Sequence, residues 1–225
     1  MHLLAVDTSS AQVSAALVHI APDGEATAAS VRQLVAPNRH GELLAQLVHD
    51  VLAEARVRLS DVGAMAAGLG PGPFTGLRVG VVTAATIADA CAIPAYGVCS
   101  LDALARRHDE GRVLVCSDAR RRQVYWARYD GGRRVDGPEI GYPAQLATDM
   151  AGQVDRTVGA GALLHRDAFA GVHSVEDHPY PSAVDVAALC SQRALAGAPS
   201  EVLEPLYLRR PDAVPPGKPK TVTPA

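Results

Sequence analysis

The sequence predicts an α/β protein made of two related lobes, and three observations support that prediction. Strand-like and helix-like segments alternate through the first half of the chain. A similar series begins again 111 residues after the first strand. The chain has 225 residues, of which 48% are hydrophobic and 20% charged, so it can bury a substantial core and does not resemble a disordered chain.

The first lobe is predicted from seven consecutive segments. Three strand-like runs come first, and the short polar connections between them favour antiparallel hairpins. The apolar residues then take the period of a helix, and helices alternate with strands to the end of the lobe. The predicted strands cover 3–7, 12–20, 27–34, 62–69 and 93–98, and the predicted helices cover 40–56 and 75–91. This series is typical of a ribonuclease-H-like lobe, although the order of the strands in the sheet stays open.

The second lobe is predicted from a repeat. A shift of 111 positions aligns residues 4–7 with 115–118 and pairs Asp7 with Asp118. The later segments are few, so this lobe is expected to be reduced: helices at 142–150 and 182–196, and a short strand at 157–159. The predicted domains are 1–108 and 109–210, followed by an extended tail at 211–225 in which prolines prevent a helix.

Charge and cysteine usage exclude several function classes. The formal charge is -3, whereas a protein that binds nucleic acid by charge alone carries an excess of Lys and Arg. The N-terminus lacks the features of a secretory signal, and no stretch of about 20 apolar residues suits a membrane span. The four cysteines include no C-x-x-C pair and are expected to be reduced and mostly buried. We therefore expect a cytoplasmic protein without a membrane partner.

One candidate phosphate site is Asp7-Thr8-Ser9, directly after the first strand. A carboxylate there can face a metal-phosphate, and the hydroxyls can bond phosphate oxygens. The same residues can instead cap their own turn, which is the commoner role. Asp118 lies at the equivalent position of the repeat, and two such acids would face one cleft.

Two other segments also allow two interpretations each. The glycine- and proline-rich loop at 68–76 leads into a helix N-terminus, which favours an anion. That loop lacks the lysine of a P-loop, so a structural turn is the alternative. A predicted hairpin turn contains Arg120, Arg121 and Arg122. These arginines could contact a phosphate or RNA, or the turn could simply be a solvent-exposed hairpin tip. Ser100 is a good N-cap for a short helix.

The two helices of the first lobe carry more apolar surface than one sheet face requires. In the second helix, small residues recur at every fourth position, which lets another backbone approach closely. Burial within the chain is one interpretation, and a four-helix contact with a partner is the other. The predicted contact residues are His40, Leu43, Leu44, Leu47, Val48, Val51, Gly76, Val79, Gly80, Thr83, Ala84 and Ile87.

Six segments together closely resemble the TsaB (YeaZ) family, over the chain to about Arg210. They are Leu4-Ala5-Val6-Asp7-Thr8-Ser9, Arg39-His40-Gly41-Glu42-Leu43-Leu44, Gly70-Pro71-Gly72-Pro73-Phe74-Thr75-Gly76-Leu77-Arg78-Val79-Gly80, Gly97-Val98-Cys99-Ser100-Leu101, Asp118-Ala119-Arg120 with Val124-Tyr125, and Leu206-Tyr207-Leu208-Arg209-Arg210. The glycine- and proline-rich block is the most specific of these segments.

The resemblance implies an actin-like (ASKHA) fold and a role in making threonylcarbamoyladenosine (t6A) at position 37 of tRNAs that read codons beginning with A. It implies a noncatalytic subunit that dimerises with a TsaD-type catalytic subunit and works with a TsaE-type ATPase. Contact with tRNA would then be indirect, through the complex. A homodimer in the absence of the partner is a further option.

The resemblance also implies that this chain alone binds no metal or cofactor. The family's catalytic relatives carry two metal-binding histidines in a block where this chain has Ser100 and Leu104. Neither side chain is a normal ligand for a transition metal, so ATP and metal are expected in the partner subunits. The alternative function is a stand-alone ATP-dependent phosphotransferase that uses Asp7 and Asp118 around magnesium. A metallopeptidase is the third hypothesis and fits the residues least.

Overall fold

The N-terminal segment forms the central strand of a five-stranded sheet. The computed structural model describes residues 1–175 and 177–209, and the predicted tail at 211–225 lies outside them. The strands are β1 (His2–Asp7), β2 (Gln12–Ile20), β3 (Ala26–Val35), β4 (Val62–Gly68) and β5 (Ala95–Val98). Their order is β3-β2-β1-β4-β5, with antiparallel pairing from β3 to β1 and parallel pairing from β1 to β5.

The second sheet repeats this topology. Its strands are β6 (Arg112–Asp118), β7 (Val124–Asp130), β8 (Arg133–Gly141), β9 (Arg156–Val158) and β10 (His173–Val175). In the order β10-β9-β6-β7-β8, the central strand β6 pairs antiparallel with β7 and parallel with β9, as β1 does with β2 and β4. The predicted repeat is therefore confirmed. The second lobe is reduced, because β9 and β10 have only three residues each.

Six α-helices cover the two sheets in the described residues. They are α1 (His40–Ala55), α2 (Phe74–Cys91), α3 (Ser100–Ala105), α4 (Pro143–Asp149), α5 (Ala160–Leu164) and α6 (Ala183–Leu195). Helices α1 and α2 pack on one face of the first sheet. Alternate residues of each strand point to that face and form its apolar surface. The cluster there includes Leu4, Val6, Leu17, Leu44, Val51 and Ala84.

Helix α6 packs on the first sheet, although the sequence prediction placed 182–196 in the second lobe. It covers the face opposite α1 and α2, in a cluster that includes Leu3, Ala5, Ala16, Ala183, Ala187 and Cys190. The hydroxyl of Ser14 on β2 accepts a hydrogen bond of 2.9 Å from the N–H of Ala183 and fixes the start of the helix. Periodicity predicts an amphipathic helix but not which apolar sheet face it will cover.

The lobes are also joined by α3 and by the C-terminal segment 200–209. Leu101 and Leu104 of α3 pack into the core of the second sheet, so the two lobes exchange helices. The N–H of Glu201 donates to the carbonyl of Ala95 (2.9 Å), and the N–H of Leu206 donates to that of Leu69 (2.8 Å), both in the first lobe. Leu208 then packs against the core of the second lobe. These contacts fix the cleft between the lobes.

Candidate functional site

Asp7 is enclosed at the end of β1, with 1% of its surface exposed. Its Oδ1 accepts hydrogen bonds from the N–H (2.9 Å) and the hydroxyl (2.8 Å) of Ser9, and its Oδ2 accepts one from the Ser100 hydroxyl (2.6 Å). Burial raises the pKa of the Asp7 carboxyl, and these hydrogen bonds oppose only part of the increase. Asp7 does not line the cleft between the lobes. The expectation that both acids face one cleft is therefore wrong for Asp7.

Thr8 links β1 to the second helix. Its hydroxyl donates to the carbonyl of Gly76 (2.8 Å) and accepts from the N–H of Gly80 (2.9 Å). In a regular α-helix these two backbone groups bond to each other, so the Thr8 hydroxyl bridges one turn of the α2 backbone. A Cβ atom at Gly80 would overlap that hydroxyl. Thr8 and Gly80 thus form a structural joint, and the Thr8 hydroxyl is not available to a phosphate.

Asp118 ends β6 and is exposed on the cleft. Its Oδ1 accepts a hydrogen bond of 2.7 Å from the N–H of Arg120, which is the self-capped turn that the sequence left open. Arg120, Arg121 and Arg122 have φ angles of 60°, 53° and 61°, in the left-handed region that residues other than glycine rarely adopt. The turn holds Arg120 against the cleft.

The cleft between the lobes contains a cavity of about 810 Å³. The first lobe contributes His40 and the first turn of α2, and the second contributes Ser117, Asp118 and Tyr125. His40 is 8% exposed, and its Nε2 lies 2.7 Å from the carbonyl oxygen of Ser10. Because a carbonyl can only accept, Nε2 is the donor in this hydrogen bond.

Aromatic residues and the C-terminal segment close the cavity. The rings of Phe74 and Tyr207 lie 5.1 Å apart, and Arg209 follows on the same wall. Sequence reasoning gave Ser117 and Tyr207 no role in a site. Strand alternation could have identified Ser117 as a buried polar residue, because it points to the same face of β6 as the buried Val115. The motif Leu206-Tyr207-Leu208-Arg209 entered only through the family resemblance.

Comparisons with known proteins find a matching family model and several similar relatives. A family model described as tRNA N6-adenosine threonylcarbamoyltransferase (TsaD) matches residues 34–160, more than half of the chain. An uncharacterised protein of Mycobacterium leprae is 42% identical over 95% of this chain, which spans 56% of that relative's length. One of Mycobacterium tuberculosis is 41% identical over 95% of this chain and 94% of its own length. Escherichia coli TsaB, a tRNA threonylcarbamoyladenosine biosynthesis protein, is 36% identical over 57% of this chain and 55% of its own length.

The solved structures decide the assignment. YeaZ from Pseudomonas aeruginosa superposes with a TM-score of 0.76 and 31% identity, over 92% of this chain and 99% of that one. The chain belongs to the TsaB (YeaZ) family. A second Pseudomonas aeruginosa structure, described as similar to YeaZ, gives a TM-score of 0.77 at 32% identity with the same coverage. The predicted actin-like fold of two ribonuclease-H-like lobes, the second reduced, is therefore confirmed.

The structure corrects the docking surface predicted for this TsaB-family chain. Most of the predicted contact residues are buried within the chain, in or beside the core between the first sheet and its two helices, with His40 and Gly76 at the edge of the cleft. These are His40, Leu44, Leu47, Val48, Val51, Gly76, Gly80 and Ala84. The predicted residues that stay partly exposed are Leu43, Val79, Thr83 and Ile87. The small-residue stripe of α2 is explained by Thr8 and His40 of this chain, whose atoms lie against Gly80 and Gly76.

Ser100 and Leu104, at the positions of the family's metal-binding histidines, both have structural roles. Ser100 is the first residue of α3 rather than its N-cap, which is Cys99. Its hydroxyl donates to Asp7 and accepts from the N–H of Gly70 (3.0 Å), while Leu104 is 2% exposed in the core of the second lobe. Within 1–175 and 177–209, no three His, Cys, Asp or Glu side chains are grouped to hold a metal ion.

The cysteines and the apolar helix α2 also bear on the predicted function classes. Cys99, Cys116 and Cys190 are buried, Cys91 is partly buried, and all four thiols are free, as predicted. Burial raises the pKa of Cys99 to about 11 and that of Cys190 to about 12, which disfavours a thiolate nucleophile.

Contrary to the sequence prediction, α2 is long and apolar enough, by length and composition only, to cross a membrane. It packs on the first sheet, as the core helices of α/β proteins do.

Proposed function

We propose that this chain is a noncatalytic subunit of the assembly that makes t6A at position 37 of tRNA. In that assembly it dimerises with a TsaD-type catalytic subunit and supports it together with a TsaE-type ATPase. The names of the matching family model and of Escherichia coli TsaB support the pathway. The protein acts in the cytoplasm, ATP and metal are bound by the partner subunits, and tRNA is contacted through the complex.

The observation that carries this proposal is the outer face of α2. Between Val79 and Ala88 the helix has no charged residue, although one side of it faces solvent. Val82 is 55% exposed, and Ala85 and Thr86 are exposed beside it. A helix that faces only water normally carries charges on its outer side. An uncharged, partly apolar face of this kind indicates a protein partner.

We define the docking face as Val79, Val82, Thr83, Thr86 and Ile87. Val79, Thr83 and Ile87 are partly buried and continue the apolar surface of Val82 towards α1, where Val79 lies 4.0 Å from the position of a Cβ atom at Gly41. This face keeps three of the residues predicted from sequence and adds two from the same helix. It replaces the buried stripe, whose residues already contact the chain's own core.

The noncatalytic role is supported by how the candidate catalytic residues are used. A phosphotransferase would need Asp7 and Asp118 together at one ligand, but the Asp7 carboxylate is held by Ser9 and Ser100 outside the cleft. Ser100 and Leu104, at the histidine positions of the catalytic relatives, are committed to packing and hydrogen bonding within the chain. The alternative phosphotransferase and the metallopeptidase therefore receive no support from the arrangement of these residues.

The docking face is tested with Val82→Arg and a matched control. Val135 on the edge strand β8 is 50% exposed, so Val135→Arg introduces the same charge at a similar exposure in the other lobe. We expect light scattering coupled to size exclusion to show a one-to-one complex of the chain with the TsaD-type protein of the same organism. Val82→Arg should weaken it at least about tenfold, because a desolvated charge would be left unpaired, while Val135→Arg should not. Equal binding by the two variants would contradict the docking face.

The noncatalytic role is tested by activity in the same system. The chain alone should show no ATP turnover, and t6A formation with TsaD-type and TsaE-type proteins should require it. Asp118→Ala, which alters the only candidate acid on the cleft among the described residues, should leave t6A formation unchanged. ATP turnover by the chain alone that Asp118→Ala abolishes would overturn the proposal and support the phosphotransferase.

A further inference from the structure

Among the described residues, three of the four outer strands of the two sheets are protected from pairing with another chain. At β5, the N–H and C=O groups of Ala95 and Gly97 all form hydrogen bonds within the chain. Their partners are Ser200, Glu201 and Arg193. Strand β8 carries four charged residues and a proline, and β10 has only three residues. Bonded, charged or short edges of this kind prevent association through the edge of a sheet.

The remaining outer strand, β3, lacks these protections. It has ten residues, none of which is glycine, proline or lysine, and Arg32 is its only charged residue. Val31, Leu34 and Val35 are 38%, 45% and 53% exposed. Within the described part of the chain, the backbone of β3 bonds to the backbone of β2 alone. A bulge leaves 30–35 as its regular segment, in which the Arg32 guanidinium donates to the Val31 carbonyl (3.0 Å). A long, largely uncharged edge of this kind favours pairing with a further strand.

The side chains of this segment alternate between the two faces of the sheet. Gln33 Nε2 donates to the hydroxyl of Ser182 at the start of α6 (2.7 Å), so the odd-numbered residues point towards α6. Arg32 forms an ion pair with Glu54 of α1 (2.8 Å), so the even-numbered residues point towards α1. The exposed apolar residues are Val31 and Val35 on the α6 side and Leu34 on the α1 side.

We propose that β3 pairs antiparallel with β3 of a second copy of this chain, about a two-fold axis at Gln33. Each Val31 then packs against the partner's Val35, and each Leu34 lies beside the partner's Arg32. An axis at Arg32 would oppose two like charges, and an axis at Leu34 would leave Val31 beyond the end of the partner strand, so charge and apolar pairing select this register.

A second copy is favoured as the occupant because the segment is complementary to itself, and one symmetric contact covers the open edge of both chains. This surface is separate from the docking face. Helix α1 packs on β2 and β3, whereas α2 packs on β1 and β4, so α1 lies between the edge and the docking face. The inference therefore does not depend on the proposed function.

The test measures the mass of the full chain over a concentration series by light scattering coupled to size exclusion. We expect a monomer–dimer equilibrium. Leu34→Lys places an ammonium group beside the partner's Arg32 at two symmetric positions, so it should weaken the dimer roughly tenfold or more. Leu34→Glu is the matched control: it removes the same apolar side chain but places a carboxylate beside that arginine, so it should keep the dimer.

Val82→Arg separates this surface from the docking face, because it should leave the dimer of the chain alone unchanged. Thermal unfolding checks that each variant is folded, which the 45% exposure of Leu34 favours. A monomer at every concentration, equal loss of the dimer in both Leu34 variants, or loss of the dimer in Val82→Arg would each overturn the proposal. A monomeric chain whose complex with the TsaD-type protein is weakened by Leu34→Lys would also overturn it and would assign β3 to that partner.

Discussion

The two turns that end the central strands of the lobes have the same position in the repeat and opposite environments. Asp7 is buried with three hydrogen bonds from Ser9 and Ser100, whereas Asp118 is exposed and accepts from the N–H of Arg120. The first turn is part of the buried core, and the second lies at the surface of the cleft. Equivalence in a repeat therefore predicts the place of a residue in the fold but not its role.

The difference follows from what covers each turn. In the first lobe the glycine- and proline-rich loop lies directly on the turn: a Cβ atom at Gly68 would overlap the Asp7 carboxylate, and one at Gly72 would overlap the Ser9 carbonyl. In the second lobe the helix α5, which follows β9 as α2 follows β4, has only five residues. Its Gly161 packs on the backbone of Ser117, and the Asp118 side chain stays uncovered.

The largest expected effect is the loss of stability on Asp7→Ala. Truncation leaves the Ser9 and Ser100 donors buried without an acceptor, so we expect the free energy of unfolding to fall by about 3 kcal/mol. The equivalent change Asp118→Ala removes one exposed hydrogen bond and should cost about 0.5 kcal/mol or less. Urea denaturation measures both. Equal losses would show that the two turns have the same environment after all.

A somewhat smaller effect is expected from Gly80→Ala, which tests the joint between Thr8 and α2. The added Cβ atom would overlap the Thr8 hydroxyl, so the variant should lose about 2 kcal/mol of stability. Gly41→Ala on α1 is the matched control, because a Cβ atom there lies 4.0 Å from its nearest neighbour, Val79. It should gain about 0.5 kcal/mol from helix propensity. Thr8→Ala should restore part of the loss in a Gly80→Ala background, and no restoration would contradict the joint.

The smallest expected effect is a pH dependence that Asp7→Asn removes. The raised pKa of Asp7 means that the folded state holds this proton more tightly than the unfolded state. The parent therefore loses stability as pH rises above the ordinary value of 3.8, until the folded-state pKa is passed. Asparagine removes the buried charge and can still accept from Ser9 through its Oδ1, whereas its NH₂ group cannot accept from the Ser100 hydroxyl, so that one hydrogen bond is lost. Denaturation across pH should show the stability of the variant rising relative to that of the parent above pH 3.8, whereas a constant difference would contradict the raised pKa.

Much of the architecture was predictable because it depends on local patterns. The predicted strands of the first lobe and the helices α1 and α2 lie within about two residues of their observed bounds, since apolar period and turn residues are short-range signals. The placement of α6 was not predictable, because two apolar sheet faces were available to it. The apolar residues of α1 and the stripe of α2 were ambiguous for the same reason: burial against the chain and burial against a partner require the same residues.

The sequence by itself determined the repeat, the order of strands and helices in the first lobe, and the family, because these depend on which residues are present and how they are spaced. Only the tertiary structure decided that the Thr8 hydroxyl bonds to the backbone of α2, that Ser100 holds Asp7 across 93 positions of the chain, and that the Ser117 hydroxyl has no partner among the described residues. These facts depend on distances between segments that are remote in sequence. Whether a carboxylate is enclosed or reaches a cleft is set by which backbone packs over it, and no local pattern of residues specifies that packing.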